Sequence, residues 1–256
     1  ATDGVQQSAS VAMAADGGFV VVWQSEVPGR GDEIRARQFD ACGVARGDEL
    51  AVNALTAGHQ NIPAVAVAND GRFVVVWQTI IANNLEVRAR PFDAHGVPRG
   101  DEIAVNVMKR NSNGAPDVAM AKDGSFVVAW ESAVRGSFEV RARRFDALGS
   151  GQGGEIAVNA LTASSQRAPR VAIDAAGNFI VVWRSNVDGR FEVRARRFTA
   201  AGVARGDEIA ATAVPAGDQL APAVAMDAAG DFVLAWENAF DGRYEVRARR
   251  FSSRGV

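Results

Sequence analysis

Cysteine is nearly missing from this chain: Cys42 stands alone in 256 residues. No disulfide can therefore form within the chain, and a Cys-rich zinc site is excluded. Lysine is almost as scarce, with Lys109 and Lys122 the only two, so the positive charge is carried by arginine. The two histidines, His59 and His95, both fall in turn-like segments. No His/Cys cluster results, and no metal or cofactor is expected. A membrane-spanning helix needs about 18 or more consecutive apolar residues, and no such run exists. The net charge of −2 gives no chain-wide basic field, which argues against nucleic acid as a partner.

What is present is repetition. The tryptophans fall at 23, 77, 130, 183 and 236, at spacings of 54, 53, 53 and 53. A second motif keeps the same period: EIRARQF at 33, EVRARPF at 86, and EVRARRF at 139, 192 and 245. The one extra residue lies between Trp23 and Glu33. The chain therefore reads as one domain, 1–256, of five repeats at about 1–53, 54–106, 107–159, 160–212 and 213–256.

Each repeat carries four strand-like segments. In the second copy they are PAVAVA (63–68), FVVVW (73–77), LEVRARPF (85–92) and DEIAVN (101–106). NDGR (69–72) supplies an Asp-Gly hairpin turn between the first two. No segment has a helical period with caps. Alternate residues of a strand point to opposite faces, so Phe73, Val75 and Trp77 share one face and Val74 and Val76 the other. Both faces are apolar and both must be covered, as they are when meanders pack side by side in a propeller. The fold expected is all-β: a five-bladed β-propeller whose blades are four-stranded antiparallel meanders. A β-solenoid or a segment of a longer array is the alternative. Strands one to three occur five times but strand four only four times, so the last blade lacks its outer strand in the sequence. A further strand or chain is expected to cover that edge.

The patterns DGRFVVVW (70–77), ARRFDALG (142–149), GDEIAVN (100–106) and QNIPAVA (60–66) resemble tandem repeats of bacterial secreted and cell-surface proteins, including adhesin-like polypeptides. The architecture is similar to that of five-bladed propeller lectins. The resemblance implies an extracellular or cell-surface location and a binding role. Calcium-loop repeats are a more distant likeness, but NDGR and AAGN have too few aspartates for that site.

Several repeated features invite a functional reading. In EVRARRF, Glu139, Arg141 and Arg143 share one face, which reads as Glu–Arg pairing within the scaffold rather than an anion site. RGD occurs four times, at 30–32, 46–48, 99–101 and 205–207; three copies mark the same turn before the fourth strand, where glycine is needed. The tryptophans Trp23, Trp77, Trp130, Trp183 and Trp236 read as core or as sugar-stacking platforms. Gln7, Gln60, Asn113, Gln166 and Gln219 read as amides that satisfy loops or bind a sugar. The loops joining strands two and three vary most, and function gathers on loops held by a rigid scaffold. The residues directly after each tryptophan, Gln24, Gln78, Glu131, Arg184 and Glu237, are therefore placed on the ligand face. That face would take a carbohydrate or protein ligand.

An active site on a repeated scaffold has to break the symmetry. Glu26, Asp117, Glu131, Asp188, Asp218, Glu237 and Asp241 depart from the repeat, but they are scattered along the sequence. The sequence is accordingly read as non-catalytic: a surface binding or assembly propeller. The alternatives are a multivalent lectin and a structural subunit of a larger particle or filament.

Overall fold

The computed structural model describes residues 4–82, 84–107, 112–162, 164–212 and 217–255. Lys109 lies outside them. Among the described residues there is no helix, and nineteen strands form five antiparallel sheets. The first sheet is β1 (Gln6–Met13), β2 (Phe19–Val27), β3 (Gly31–Phe39) and β4 (Leu50–Ala51), paired in chain order. The second is β5 (His59–Val67), β6 (Phe73–Ile81), β7 (Asn84–Phe92) and β8 (Ile103–Ala104). The third is β9 (Asn113–Met120), β10 (Phe126–Val134), β11 (Ser137–Phe145) and β12 (Ile156–Ala157). The fourth is β13 (Gln166–Ile173), β14 (Phe179–Val187), β15 (Arg190–Phe198) and β16 (Ile209–Ala210). The fifth has three strands, β17 (Asp218–Met226), β18 (Phe232–Phe240) and β19 (Arg243–Phe251). The fold is that of a five-bladed β-propeller whose last blade has three strands.

Contacts divide the chain into two compact units, Ala1–Val128 with Arg143–Gly154 and Ala129–Ala142 with Glu155–Val256; the boundary runs through the third sheet. In the first unit, Phe73, Val75 and Trp77 of the second sheet pack against Val20, Val22, Ile34 and Ala36 of the first. In the second unit, Phe232, Leu234 and Trp236 of the fifth sheet pack against Ile180, Val182, Val193 and Ala195 of the fourth. These contacts explain why both faces of FVVVW are apolar: one meets the preceding sheet and the other the following one. Full burial of one such side chain contributes roughly 1.5–3 kcal/mol.

Two further devices recur. The first residue of β2, β6, β10, β14 and β18 is a phenylalanine stacked on the last of the next strand, as in Phe73–Phe92, with ring centroids 4.8–5.0 Å apart in all five sheets. The first strand of each sheet holds a left-handed residue, Ser8, Ile62, Ala115, Ala168 or Ala221, at φ 47–55°. It coincides with the register shift that bends the strand, as between Asn61 and Ala64.

This geometry revises one sequence equivalence. Gln6, not Gln7, corresponds to Gln60: Gln6 sits opposite Ser25 as Gln60 sits opposite Thr79. The extra residue between Trp23 and Glu33 displaces everything before it by one.

The arginine-rich strand is scaffold. Val140 and Ala142 are fully buried, while Arg141 donates to Glu139 at 2.7 Å. The next arginine reaches to the preceding repeat: Arg90 donates to the Val52 carbonyl at 2.8 Å and Arg196 to Val158 at 3.0 Å. The repeated RGD turns behave as turns, with Gly47, Gly100 and Gly206 at φ 89°, 139° and 83°.

Candidate functional site

The hairpin joining β2 to β3 differs from its counterparts. The other described hairpins of this kind use two-residue turns with both φ positive, such as Asp188–Gly189 at 49° and 83°. That is the primed turn matching strand twist. In the first sheet the loop is Pro28–Gly29–Arg30, one residue longer, and Arg30 N–H donates to Val27 at 3.0 Å. Gly31 follows at φ 96°, pairing with Val27. A side chain there would crowd the Gly58 carbonyl and the His59 ring.

The extra residue is confined to the turn, and the strand register beside it is that of the other sheets. Glu26 and Asp32 are directly opposed across the hairpin and share a face. Glu26 is pinned to β1's approach: its N–H donates to the Val5 carbonyl at 2.9 Å, and its Oε2 accepts from the Val5 N–H at 3.3 Å. Asp32 Oδ2 lies 2.9 Å from His59 Nδ1 of the second sheet. The Asp32 side chain is 21% exposed and that of His59 58%. Together with Val27 and Arg30 these residues line one open cleft.

None of these three residues recurs at its equivalent position in another copy. Where the first copy has Glu26, the others have Ile80, Ala133, Asn186 and Ala239; where it has Asp32, they have Leu85, Phe138, Phe191 and Tyr244. In the fourth and fifth repeats the position of His59 is taken by Ser165 and Asp218, which accept from the Phe138 and Phe191 N–H groups at 3.5 and 2.9 Å. A capping position has thus become a histidine beside a carboxylate. Sequence reasoning singled out Glu26, treated His59 as a turn residue and read Asp32 only as part of an RGD. Aligning the variable loops position by position carries the signal that was missed.

The sequence-derived candidates lie elsewhere. Trp77, Trp130 and Trp183 are fully buried, Trp236 is 4% exposed, and Trp23 is half-buried. Trp77, Trp130 and Trp183 are thus enclosed, not open to a stacking ligand. Gln60 and Gln166 accept from the Trp77 and Trp183 indole N–H groups at 3.0 and 2.8 Å, and Gln219 accepts from the Val193 N–H at 2.9 Å. Gln78 and Glu131 are buried and accept from the N–H groups of the left-handed Ala115 and Ala168, at 3.3 and 2.7 Å. Gln24 is buried, Arg184 stacks over Phe191 at 4.6 Å, and Glu237 is exposed. Most of these side chains hold neighbouring strands in place. Among the described residues, no group of three or more His, Cys, Asp or Glu forms a metal-ligand set.

No protein-family model and no curated protein sequence matches the chain. Solved structures do. An α-L-arabinanase of Penicillium chrysogenum, complexed with arabinobiose, is similar at a TM-score of 0.61 and 11% identity over 94% of this chain and 81% of that one. An α-L-arabinofuranosidase of Lactobacillus brevis is similar at 0.52 and 10% identity, over 96% and 90%. An endo-arabinase of Bacteroides thetaiotaomicron is similar at 0.50 and 14% identity, over 91% and 89%.

This finding corrects the sequence-based expectation of a non-catalytic propeller. The similar solved structures named above are arabinanases and an arabinofuranosidase, and no adhesin or lectin is among them. The expectation rested on pseudo-symmetry, and the hairpin that carries Glu26 and Asp32, with His59 beside it, departs from that symmetry.

Proposed function

We propose that this chain is a carbohydrate-acting hydrolase that cleaves glycosidic bonds in an arabinose-containing polysaccharide. The observation that carries this reading is the opposed pair Glu26 and Asp32, with His59, in an open cleft at the one hairpin where the repeat gains a residue. The shared fold of the arabinan-acting enzymes supports the choice of substrate class.

Glycoside hydrolysis needs two carboxyl groups flanking the bond, roughly 5–9.5 Å apart. Directly opposed strand residues hold their Cβ atoms about 4.5–5.5 Å apart, so the hairpin supplies a pair of the right scale. One carboxyl group delivers its proton to the glycosidic oxygen as the bond to the anomeric carbon breaks. The other, ionised, takes a proton from the attacking water or itself bonds to that carbon. The Val5 amide fixes Glu26, His59 orients Asp32, and Arg30 offers donors to sugar hydroxyls. A polysaccharide substrate fits an extracellular location.

The test is incubation of the purified chain with arabinan, arabino-oligosaccharides and a panel of other plant polysaccharides, following new reducing ends. Release from arabinose-containing substrates supports the reading; no release from any member of the panel overturns it.

A further inference from the structure

In the first sheet the turn joining the first two strands carries an acid that holds an arginine of the same repeat. Asp16 accepts from the Gly18 N–H at 2.9 Å and lies 3.6 Å from Arg46. Asp70 and Asp123 keep that position in the next two repeats, but Ala176 stands there in the fourth. The fourth repeat places its acid two residues earlier, at Asp174, which is buried. Both oxygens of Asp174 are engaged within the turn. Oδ1 accepts from the Ala176 and Asn178 N–H groups and Oδ2 from the Asn178 side-chain amide, each at 2.8 Å. Arg205, the counterpart of Arg46, is exposed and has lost the acid that Asp16 supplies.

Asp174 and Ala176 line a cavity of about 320 Å³ between the fourth and fifth sheets. Arg197 and Arg205 of the fourth repeat and Arg254 of the fifth also line it. Among the described residues none of these three arginines pairs with a carboxylate. Arg197 Nη1 donates to the Ser253 carbonyl at 2.6 Å, which holds the Arg254 turn against the fourth sheet. Burial first, and the charge of Arg205 second, lower the Arg197 pKa from its ordinary value. The like charges are thus crowded and uncompensated. The same three sequence positions hold a single arginine in each earlier pair of repeats, Arg46, Arg99 and Arg144 in turn. The chain that leaves such a turn returns to its own sheet. The Arg99 N–H donates to Pro91 and the Arg205 N–H to Arg197, both at 2.8 Å. The cavity, between two sheets, lies off that path.

We infer that this cavity binds a tetrahedral oxyanion, phosphate or sulfate, free or as the ester of a small molecule. Three arginines against one engaged aspartate leave its walls with an excess of two positive charges. A phosphate ester carries a charge of about −1.5 to −2 near neutral pH and three strong acceptor oxygens. Guanidinium groups reaching it from three segments can each meet an oxygen, and the fixed fork of arginine suits that geometry. A carboxylate offers two oxygens and one charge, which matches the cluster less well. The cavity volume admits a small carrier group beside the anion. This inference does not rest on the hydrolase reading.

The test titrates the full chain by calorimetry with sodium phosphate, sodium sulfate and glucose 6-phosphate at fixed ionic strength, with sodium acetate as the control. Expected is saturable binding of at least one of the first three, and none of acetate. Tighter binding of glucose 6-phosphate than of the free ions assigns the site to an ester; binding no tighter assigns it to the free ion. Ala176→Asp returns the acid that Asp16 gives Arg46, and Arg254→Ala removes a cation at an exposed position. Each should weaken binding roughly tenfold at an unchanged melting temperature. The proposal is overturned by absence of saturable binding, by acetate binding as tightly as phosphate, or by either variant binding like the parent.

Discussion

The indole N–H of Trp183 donates to Gln166 Oε1 at 2.8 Å, with both residues fully buried. Trp77 and Gln60 make the same bond at 3.0 Å. An amide on the first strand therefore satisfies the one polar atom of the central tryptophan. Replacing Gln166 by leucine leaves that N–H unpaired inside the core. The expected loss is about 1–3 kcal/mol, read as a lower denaturant midpoint at unchanged slope.

The fifth sheet breaks this arrangement, and the sequence explains why. Asn159 caps the Val140 N–H, which leaves Gln166 free for Trp183. At the next equivalent position stands Thr212, too short for that role. Gln219 takes the Val193 N–H instead and donates to Thr212 Oγ1 at 2.9 Å. The Trp236 Nε1 atom is buried without a partner. Thr212→Asn should return Gln219 to Trp236 and stabilise the protein by about 0.5–1.5 kcal/mol. Thermal unfolding of the variant reports the sign, and Trp236 fluorescence reports the new bond.

The arginine that bridges successive repeats should matter more than a surface ion pair. Arg196 donates to the Val158 carbonyl at 3.0 Å. Hydrogen bonds to charged groups contribute roughly 1.5–3 kcal/mol. Arg196→Met keeps most of the stem packing and removes the bond, so its destabilisation should approach that range. Arg250→Met, at an exposed position paired with Asp231, should change stability by less than about 1 kcal/mol. Chemical denaturation of the two variants side by side checks the contrast.

Turn carboxylates make the fold acid-sensitive. The Ser150 N–H, followed by the Leu148 N–H, holds the Asp146 carboxyl below its ordinary range. The Val97 and His95 N–H groups do the same for Asp93. A carboxyl depressed in the folded state adds stability that is present above its unfolded value of about 3.9 and is lost as pH falls through the folded value. Asp146→Asn keeps an acceptor but removes the charge. Its melting temperature should fall below the parent's at neutral pH, and the gap should close in strong acid. A gap independent of pH would contradict this origin.

Much of the fold was legible because the repeat is nearly exact. The period of the tryptophans and of the Glu-Val-Arg-Ala-Arg motif marked five meanders, and the two apolar faces of FVVVW required sheets stacked on both sides. The pairing of Glu139 with Arg141 also followed from side-chain alternation. The candidate site was much less legible. Glu26, Asp32 and His59 lie in different segments and meet only through strand pairing and the packing of two sheets. The inserted residue stays within the turn and leaves the strand register as in the other sheets, so what sets this hairpin apart is which residues stand at the opposed positions. For the tryptophans the sequence left core and sugar-stacking readings side by side, and the full burial of Trp77, Trp130 and Trp183 agrees with core.

The most direct measurement is the rate of arabino-oligosaccharide hydrolysis by the parent chain, Glu26→Gln and Asp32→Asn, with circular dichroism and melting temperature recorded for each. General acid–base groups contribute about 10²–10⁴-fold. Each variant should lose activity on that scale while keeping the parent's fold. Hydrolysis unchanged in both variants would contradict the account.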